Sequence, residues 1–262
     1  MDFLVCAYGE PGEEKFIPHI APYLDGVEIQ NYDRRGVLSE ADWHTVLKEH
    51  RALRPLLPGR LAVHGPFVGL DYSYKDHLLR EAVRRRLDMT FDMVQQLKPD
   101  TLVLHSGCAE QMVRFSLTDT WLEQTAAFWK EEIKRYEDIG VRVVLENVVE
   151  HSPELLIRLI DTVGSSSLGL CFDIGHATLC STLSPAAWVE QMQARLLHVH
   201  LHDNHGKTDE HLPIGSGIID FDAFFAALKK WAPQATVSLE IIADPPVVVA
   251  NTIQVVKRYR NP

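Results

Sequence analysis

The sequence predicts an α/β protein of the (β/α)8 barrel class, and two observations lead there. Eight short apolar runs recur along the 262 residues, each followed by a longer stretch of helical periodicity, the alternation expected of parallel strands joined by helices. His, Asp and Glu recur at the ends of those runs, where a barrel gathers its functional side chains at one mouth. Hydrophobic residues make up 46% of the chain, enough for a substantial core. The fourteen prolines and fifteen glycines mark no linker, repeat or compositional break, so residues 1–262 are read as a single domain.

The first apolar run, Phe3 to Tyr8, is read as a strand leading to a helix at Glu14 to Tyr23, and the second, Val27 to Gln30, leads to Glu40 to Leu56. The third and fourth strands, Leu61 to His64 and Thr101 to His105, precede helical patterns at Lys75 to Leu97 and Thr120 to Ile139. Arg142 to Glu146 and Leu168 to Asp173 come next, with helices at Pro153 to Val163 and Pro185 to Ala194. Leu196 to His202 and Thr236 to Glu240 complete the strands, with helices at Phe221 to Trp231 and Pro246 to Tyr259. Ser152 before Pro153 and Ser184 before Pro185 each pair a capping oxygen with proline at the first helical position. Apolar stripes in Leu87 to Leu97 and Leu122 to Ile133 are read as faces packed on the barrel, which leaves the oligomeric state open.

Composition excludes several classes. There is no run of about 18 apolar residues, and Met1 to Tyr8 is too short and acidic for a secretory signal, so no membrane partner is expected and the cytoplasm is the default location. Cys6, Cys108, Cys171 and Cys180 show no CxxC spacing and no disulfide framework. A net charge of -10 offers no general attraction to nucleic acid, although bound cations would invert the potential locally. Arg84, Arg85 and Arg86 fall in a helical pattern and read as a solvated face. Gly9-Glu10-Pro11-Gly12 is a turn without the spacing of a nucleotide-binding loop, and Ser106-Gly107-Cys108 reads as a loop after His105.

The chemistry concentrates in residues that ligate metals: His64, His105, Glu146, Asp173, His176, His200, Asp209, His211 and Glu240. Glu146 and Glu240 close apolar strands, where an inward carboxylate binds a divalent ion. Asp173 and His176 lie three residues apart across a turn that Gly175 relaxes. In Leu197-His198-Val199-His200-Leu201-His202 the alternation puts three histidines on one face of an extended chain. Asp209 and His211, one residue apart, converge from a loop that Gly215 and Gly217 allow to turn closely. The connections His64 to Lys75 and Asp203 to Asp220 shape the mouth, and substrate choice is expected there.

In these residues the chain resembles the xylose-isomerase-like TIM-barrel superfamily, and within it the endonuclease-IV-type members: all nine candidates match that family's metal positions in order. The resemblance implies a first zinc on His64 and His105, bridged by Glu146 to a second on Asp173, His200 and Glu240, with a third on His176, Asp209 and His211. His202 stands where the nuclease type commonly has asparagine, which points to an added substrate contact or a different ion arrangement. Zinc, in up to three ions, is the expected metal; manganese, magnesium or cobalt become the alternatives if only Glu146, Asp173, His200 and Glu240 form the site.

The expected function is metal-assisted phosphodiester hydrolysis by water, with Glu146 and Glu240 as the catalytic carboxylates. The resemblance implies either a small nucleotide-containing substrate, such as a cobamide, or abasic-site DNA; the acidic chain favours the small molecule. Arg34, Arg35 and Lys207 are candidate phosphate contacts, Phe67, Tyr72 and Tyr74 candidate stacking surfaces, and His202 a candidate substrate contact. Two alternatives stand beside this: a sugar isomerase or epimerase in which Glu146 and Glu240 exchange protons on opposite faces of the substrate, and a metal-stabilised binding domain without turnover.

Overall fold

The computed structural model describes residues 1–7, 16–30, 32, 39–57 and 59–260. Eight strands, β1 (Phe3–Ala7), β2 (Gly26–Ile29), β3 (Arg60–His64), β4 (Thr101–His105), β5 (Arg142–Glu146), β6 (Leu168–Asp173), β7 (Leu196–Leu201) and β8 (Thr236–Leu239), close into a barrel in chain order. Every pairing is parallel, and β1 meets β8 to complete the ring. The fold is the expected (β/α)8 barrel. β4, β5 and β6 have the bounds read from the sequence, because each is an unbroken apolar run ending in a titratable residue.

Around the barrel lie α1 (Ile17–Ile20), α2 (Glu40–Leu53), α3 (His77–Leu97), α4 (Glu110–Arg114) and α5 (Thr118–Glu137), then α6 (Glu154–Val163), α7 (Ile174–Cys180), α8 (Pro185–Met192), α9 (Phe221–Trp231) and α10 (Pro245–Tyr259). Three stretches read as helix end in 3-10 turns, at Ala21–Tyr23, Arg54–Leu56 and Gln193–Arg195. Two helices go beyond the sequence reading. α4 is a little over one turn, too short for periodicity to register. α7 starts directly after Asp173, whose carboxylate accepts the His176 backbone N–H at 2.7 Å and so caps the helix.

The two serine caps part ways. Ser184 accepts the backbone N–H of Ala187 with Pro185 in the first turn, as expected. At α6 the expectation is corrected: Pro153 itself occupies the capping position, in helical conformation, and no side chain caps the helix. The strand predicted to reach His202 ends at Leu201, because Asp203 leaves the barrel to pair antiparallel with Leu212.

The outer core lies between strands and helices and buries Trp43, Trp121, Trp129 and Trp188. Leu87, Val94 and Leu97 on α3 and Leu122, Trp129 and Ile133 on α5 belong to it, so both apolar stripes face the barrel. The barrel interior is divided. Val103, Val144 and Cys171 form an apolar cluster on the β4–β6 side, joined by Leu197 at a register shift between β6 and β7. On the other side the buried side chains of Glu28, His198, Thr236 and Ser238 make the interior polar.

Arg84 and Arg85 are exposed on α3, and the Arg86 guanidinium lies 5.6 Å from the Trp43 ring centroid. The four cysteines are free. No helix among the described residues is long and apolar enough to cross a membrane. Ser184→Ala removes the one side-chain acceptor at the start of α8 and should lower unfolding free energy by about 1 kcal/mol; an unchanged denaturant midpoint would show the cap to be idle.

Candidate metal centre

All eight strands run the same way, so their C-terminal ends share one mouth. His64, His105, Glu146 and Asp173 terminate β3 to β6, His200 sits one residue before the end of β7, and Glu240 follows β8 directly. α7 adds His176, and the loop after β7 adds Asp209 and His211. The nine residues form one connected basin with Glu146 at its centre. Glu146 Oε2 lies 3.2 Å from His64 Nε2, 3.8 Å from His105 Nε2 and 3.3 Å from His200 Nδ1, and Oε1 lies 3.4 Å from His176 Nδ1. Glu240 Oε2 stands 3.3 Å from His200 Nδ1. Asp209 Oδ2 stands 3.3 Å from His176 Nε2 and 3.0 Å from His211 Nε2.

The residues present fit a metal centre, and the hydrogen bonds behind the imidazoles are the reason. His64 Nδ1–H donates to the Gly65 carbonyl at 2.8 Å, His176 Nδ1–H to the Asn147 carbonyl at 2.9 Å, and His211 Nδ1–H to the Glu240 carbonyl at 3.0 Å. Each leaves Nε2 turned towards a carboxylate of the basin. His200 reverses the pattern: Nε2 is held by Glu28 at 2.9 Å, while Nδ1 is buried with no hydrogen-bond partner. One ring nitrogen anchored outward and the other presented inward is how metal-binding histidines are supported. Donors from His64, His105 and Glu146, and from Glu146, Asp173 and His176, each lie within 4.8 Å of one another.

Burial opposes charge in this basin, yet the groups ionise each other. The His200 imidazole holds the Glu146 carboxyl well below the ordinary range in spite of burial. Asp173, equally buried, is brought down to about 2 by His176 and His202. His211 is raised against burial to about 9 by Asp209 and Glu240. His105, where burial dominates, falls to about 3. Imidazole protons and a divalent cation compete for the same carboxylate charge, so metal binding here is coupled to proton release.

The loop that carries Asp209 and His211 is organised from below by Asp203, which is fully buried and which the sequence marks only as the loop's first residue. Its carboxylate accepts backbone N–H groups from Asn204 at 2.9 Å, Gly215 at 3.0 Å, Gly217 at 2.7 Å and Ile219 at 3.3 Å. A Cβ at position 217 would lie 2.2 Å from the Asn204 carbonyl oxygen, so the close turn needs glycine. His211 itself has φ of 47°, a left-handed backbone rare outside glycine, and the Asp203–Leu212 pairing holds it there.

The candidate substrate contacts fall in different places. Phe67 stacks on His105 with ring centroids 4.8 Å apart, over the mouth. Tyr72 is buried against Phe128 and Trp129, and its hydroxyl donates to the His105 carbonyl at 3.2 Å, which places it in the wall and corrects its reading as a stacking surface. Tyr74 lines a cavity of about 180 Å³ with Arg80, Arg84 and Glu131, between α3 and α5, and not the ligand basin. Lys207 is exposed on the loop after β7. Arg34 and Arg35 lie outside the described residues. His202 is fully buried, bonds both Asp173 oxygens at 3.1 and 3.2 Å, and stacks on His211 with centroids 3.9 Å apart.

Sequence reading missed Glu28, Gln30, Asn147 and the role of His198. The signal for two of them was present: Val27-Glu28-Ile29-Gln30 alternates apolar and polar residues on a strand that a barrel buries on both faces. Asn147 clasps the Asp173 backbone, accepting its N–H at 2.9 Å and donating to its carbonyl at 3.0 Å.

A Cβ at Gly175 would stand 2.0 Å from His202 Cε1. Gly175→Ala should therefore push the His202 ring off Asp173, costing about 1–3 kcal/mol of stability and lowering metal retained after dialysis. Wild-type melting and metal content in that variant would show that the ring has room to spare.

A model of the family described as xylose isomerase-like TIM barrel matches residues 24–259. Among solved structures, a D-tagatose 3-epimerase-like protein superposes with a TM-score of 0.81 at 26% identity, covering 99% of this chain and 97% of that one. A Thermus thermophilus protein soaked with zinc chloride superposes with a TM-score of 0.73 at 27% identity, covering 98% of each. A probable endonuclease 4 of Mycobacterium leprae is 25% identical over 179 residues, 64% of this chain and 68% of that protein. The chain belongs to the xylose-isomerase-like TIM-barrel family, as a metal-binding member related to its endonuclease-IV-type and epimerase branches.

Proposed function

We propose that the barrel mouth hydrolyses the phosphodiester of a small organic molecule, with zinc as the metal. The observation that carries the reading is a surplus of donors. Glu146, Asp173, His200 and Glu240 would suffice for one divalent ion, yet His64 and His105 also approach Glu146, while His176 and His211 share Asp209 at 3.3 and 3.0 Å. Similarity to a probable endonuclease 4 supports phosphodiester chemistry. Bound ions would supply an activated water and screen the charge of the phosphate.

The protein's own residues do the rest. Glu146, with both oxygens facing histidines, holds the two halves of the basin in register. Glu240 fixes the edge beside His200. His176, Asp209 and His211 lie together on the side of the loop, where they would meet the departing group. Phe67, stacked on His105, offers a ring face at the opening for a planar substituent. A net charge of -10 disfavours a polyanionic backbone, so a small nucleotide-containing molecule such as a cobamide is preferred over abasic-site DNA.

A second reading is epimerisation of a ketose, supported by the 26% identity to a D-tagatose 3-epimerase-like protein over nearly the whole chain. Its own geometric support is that Glu146 and Glu240 both lie 3.3 Å from His200 Nδ1. Two carboxylates around one ligand are what proton removal and return at a single carbon require. That reading leaves the outer donors unexplained.

Chelator treatment should abolish turnover, and zinc or manganese should restore it. Glu146→Gln should reduce turnover by about 100-fold or more with the fold retained by circular dichroism. Assays on bis(p-nitrophenyl) phosphate, an abasic oligonucleotide, D-tagatose and D-fructose separate the readings. Phosphodiester cleavage alone supports the first, ketose interconversion alone replaces it with the second, and full turnover in Glu146→Gln would remove Glu146 from both.

A further inference from the structure

β2 contributes none of the nine candidate ligands, yet Glu28 on the strand and Gln30 directly after it reach two of them. Glu28 is fully buried. Its Oε1 lies 2.9 Å from His200 Nε2, and its Oε2 lies 2.8 Å from His198 Nε2 and 2.5 Å from the Ser238 hydroxyl. Two residues along, the Gln30 side-chain N–H donates to Glu240 Oε1 at 2.6 Å. His198 is pinned at its far end as well, with Nδ1 2.5 Å from Thr236 Oγ1.

We propose that β2 is the strut of the metal centre: Glu28 sets the tautomer and tilt of His200, and Gln30 sets the rotamer of Glu240. A carboxylate only accepts hydrogen bonds, so Glu28 keeps a His200 proton on Nε2 and leaves Nδ1, 3.3 Å from Glu146 and from Glu240, as the nitrogen at which a metal would replace a proton. Gln30 occupies Glu240 Oε1 and leaves Oε2 to face His200. Both are positioning residues that act through a ligand.

The fold does not call for a charge at this depth. The opposite half of the interior is closed by Val103, Val144 and Cys171, and apolar replacements of buried ionic groups are often neutral or stabilising. A buried carboxylate with three donors converging on it is therefore explained by what it orients. The inference rests on the mouth being a metal centre, not on which bond is broken there.

The test uses the full chain, stripped with chelator and reloaded with cobalt(II), in the wild type, Glu28→Gln and Gln30→Met. The readouts are cobalt affinity by competition with a chromophoric chelator, the visible spectrum of the bound ion, and melting of the stripped protein. Each variant should bind cobalt about 10- to 100-fold more weakly, with altered absorption bands, and Gln30→Met should leave melting of the stripped form nearly unchanged. Gln30→Met alters no charge and carries the test alone if Glu28→Gln fails to fold. Wild-type affinity and spectrum in both variants, or a change in melting alone, would overturn the strut while leaving the metal centre standing. A wild type that takes up neither cobalt nor zinc would overturn the metal centre and the strut together.

Discussion

The ionised carboxylate of Glu146, held almost out of water at the centre of a ring of histidines, is the interaction on which the rest of the site depends. A charge at that depth is costly unless it is matched on every side. β3, β4 and β7 each send one imidazole to it, and α7 sends a fourth. The parallel ring of strands makes the meeting possible, because only a closed barrel turns sequence-distant strand ends towards a single point. The outward hydrogen bonds of His64, His176 and His211 to backbone carbonyls then fix the direction of each ring, so the geometry of the basin is set by main chain as well as by side-chain packing.

The fold was legible because strand and helix periods differ and because the strands here are nearly pure apolar runs. β4, β5 and β6 could be bounded to the residue, while β7 could not, since nothing in Leu201-His202-Asp203 announces that Asp203 leaves the barrel to gather four backbone amides. α7 escaped because its cap, Asp173, read first as a ligand; one carboxylate serves both ends of that description. Residue type and spacing identified what lies at the mouth but not what lies beneath it. Glu28 and Gln30 needed the register that sets β2 across the interior from β7 and β8. Tyr72 shows the same limit from the other direction: an aromatic residue in a mouth loop turned inward to pack on Trp129.

Rigidity is distributed unevenly around the basin. The strand-borne residues sit on ladders of hydrogen bonds, whereas Asp209 and His211 depend on a loop that keeps its shape through Asp203 and through a left-handed backbone at His211. The conformational cost at His211 is met by the Asp203–Leu212 pairing next to it and by the Ile242 N–H, which donates to the His211 carbonyl at 2.9 Å. The loop is thus tied to the segment after β8, the same segment that follows Glu240.

In the proposed metal centre two of the outer donors, Asp209 and His211, belong to one loop. Substitution or shortening between Asp203 and Asp220 would remove Asp209 and His211 together, leaving His176 on α7 and the strand-end candidates in place. Changes on the strands cannot be made so independently, because His64, His105 and His200 all meet Glu146. On the proposed reading, a barrel built this way would pass between multinuclear and mononuclear chemistry by remodelling a surface connection, with the folding core and the strand-end donors inherited unchanged.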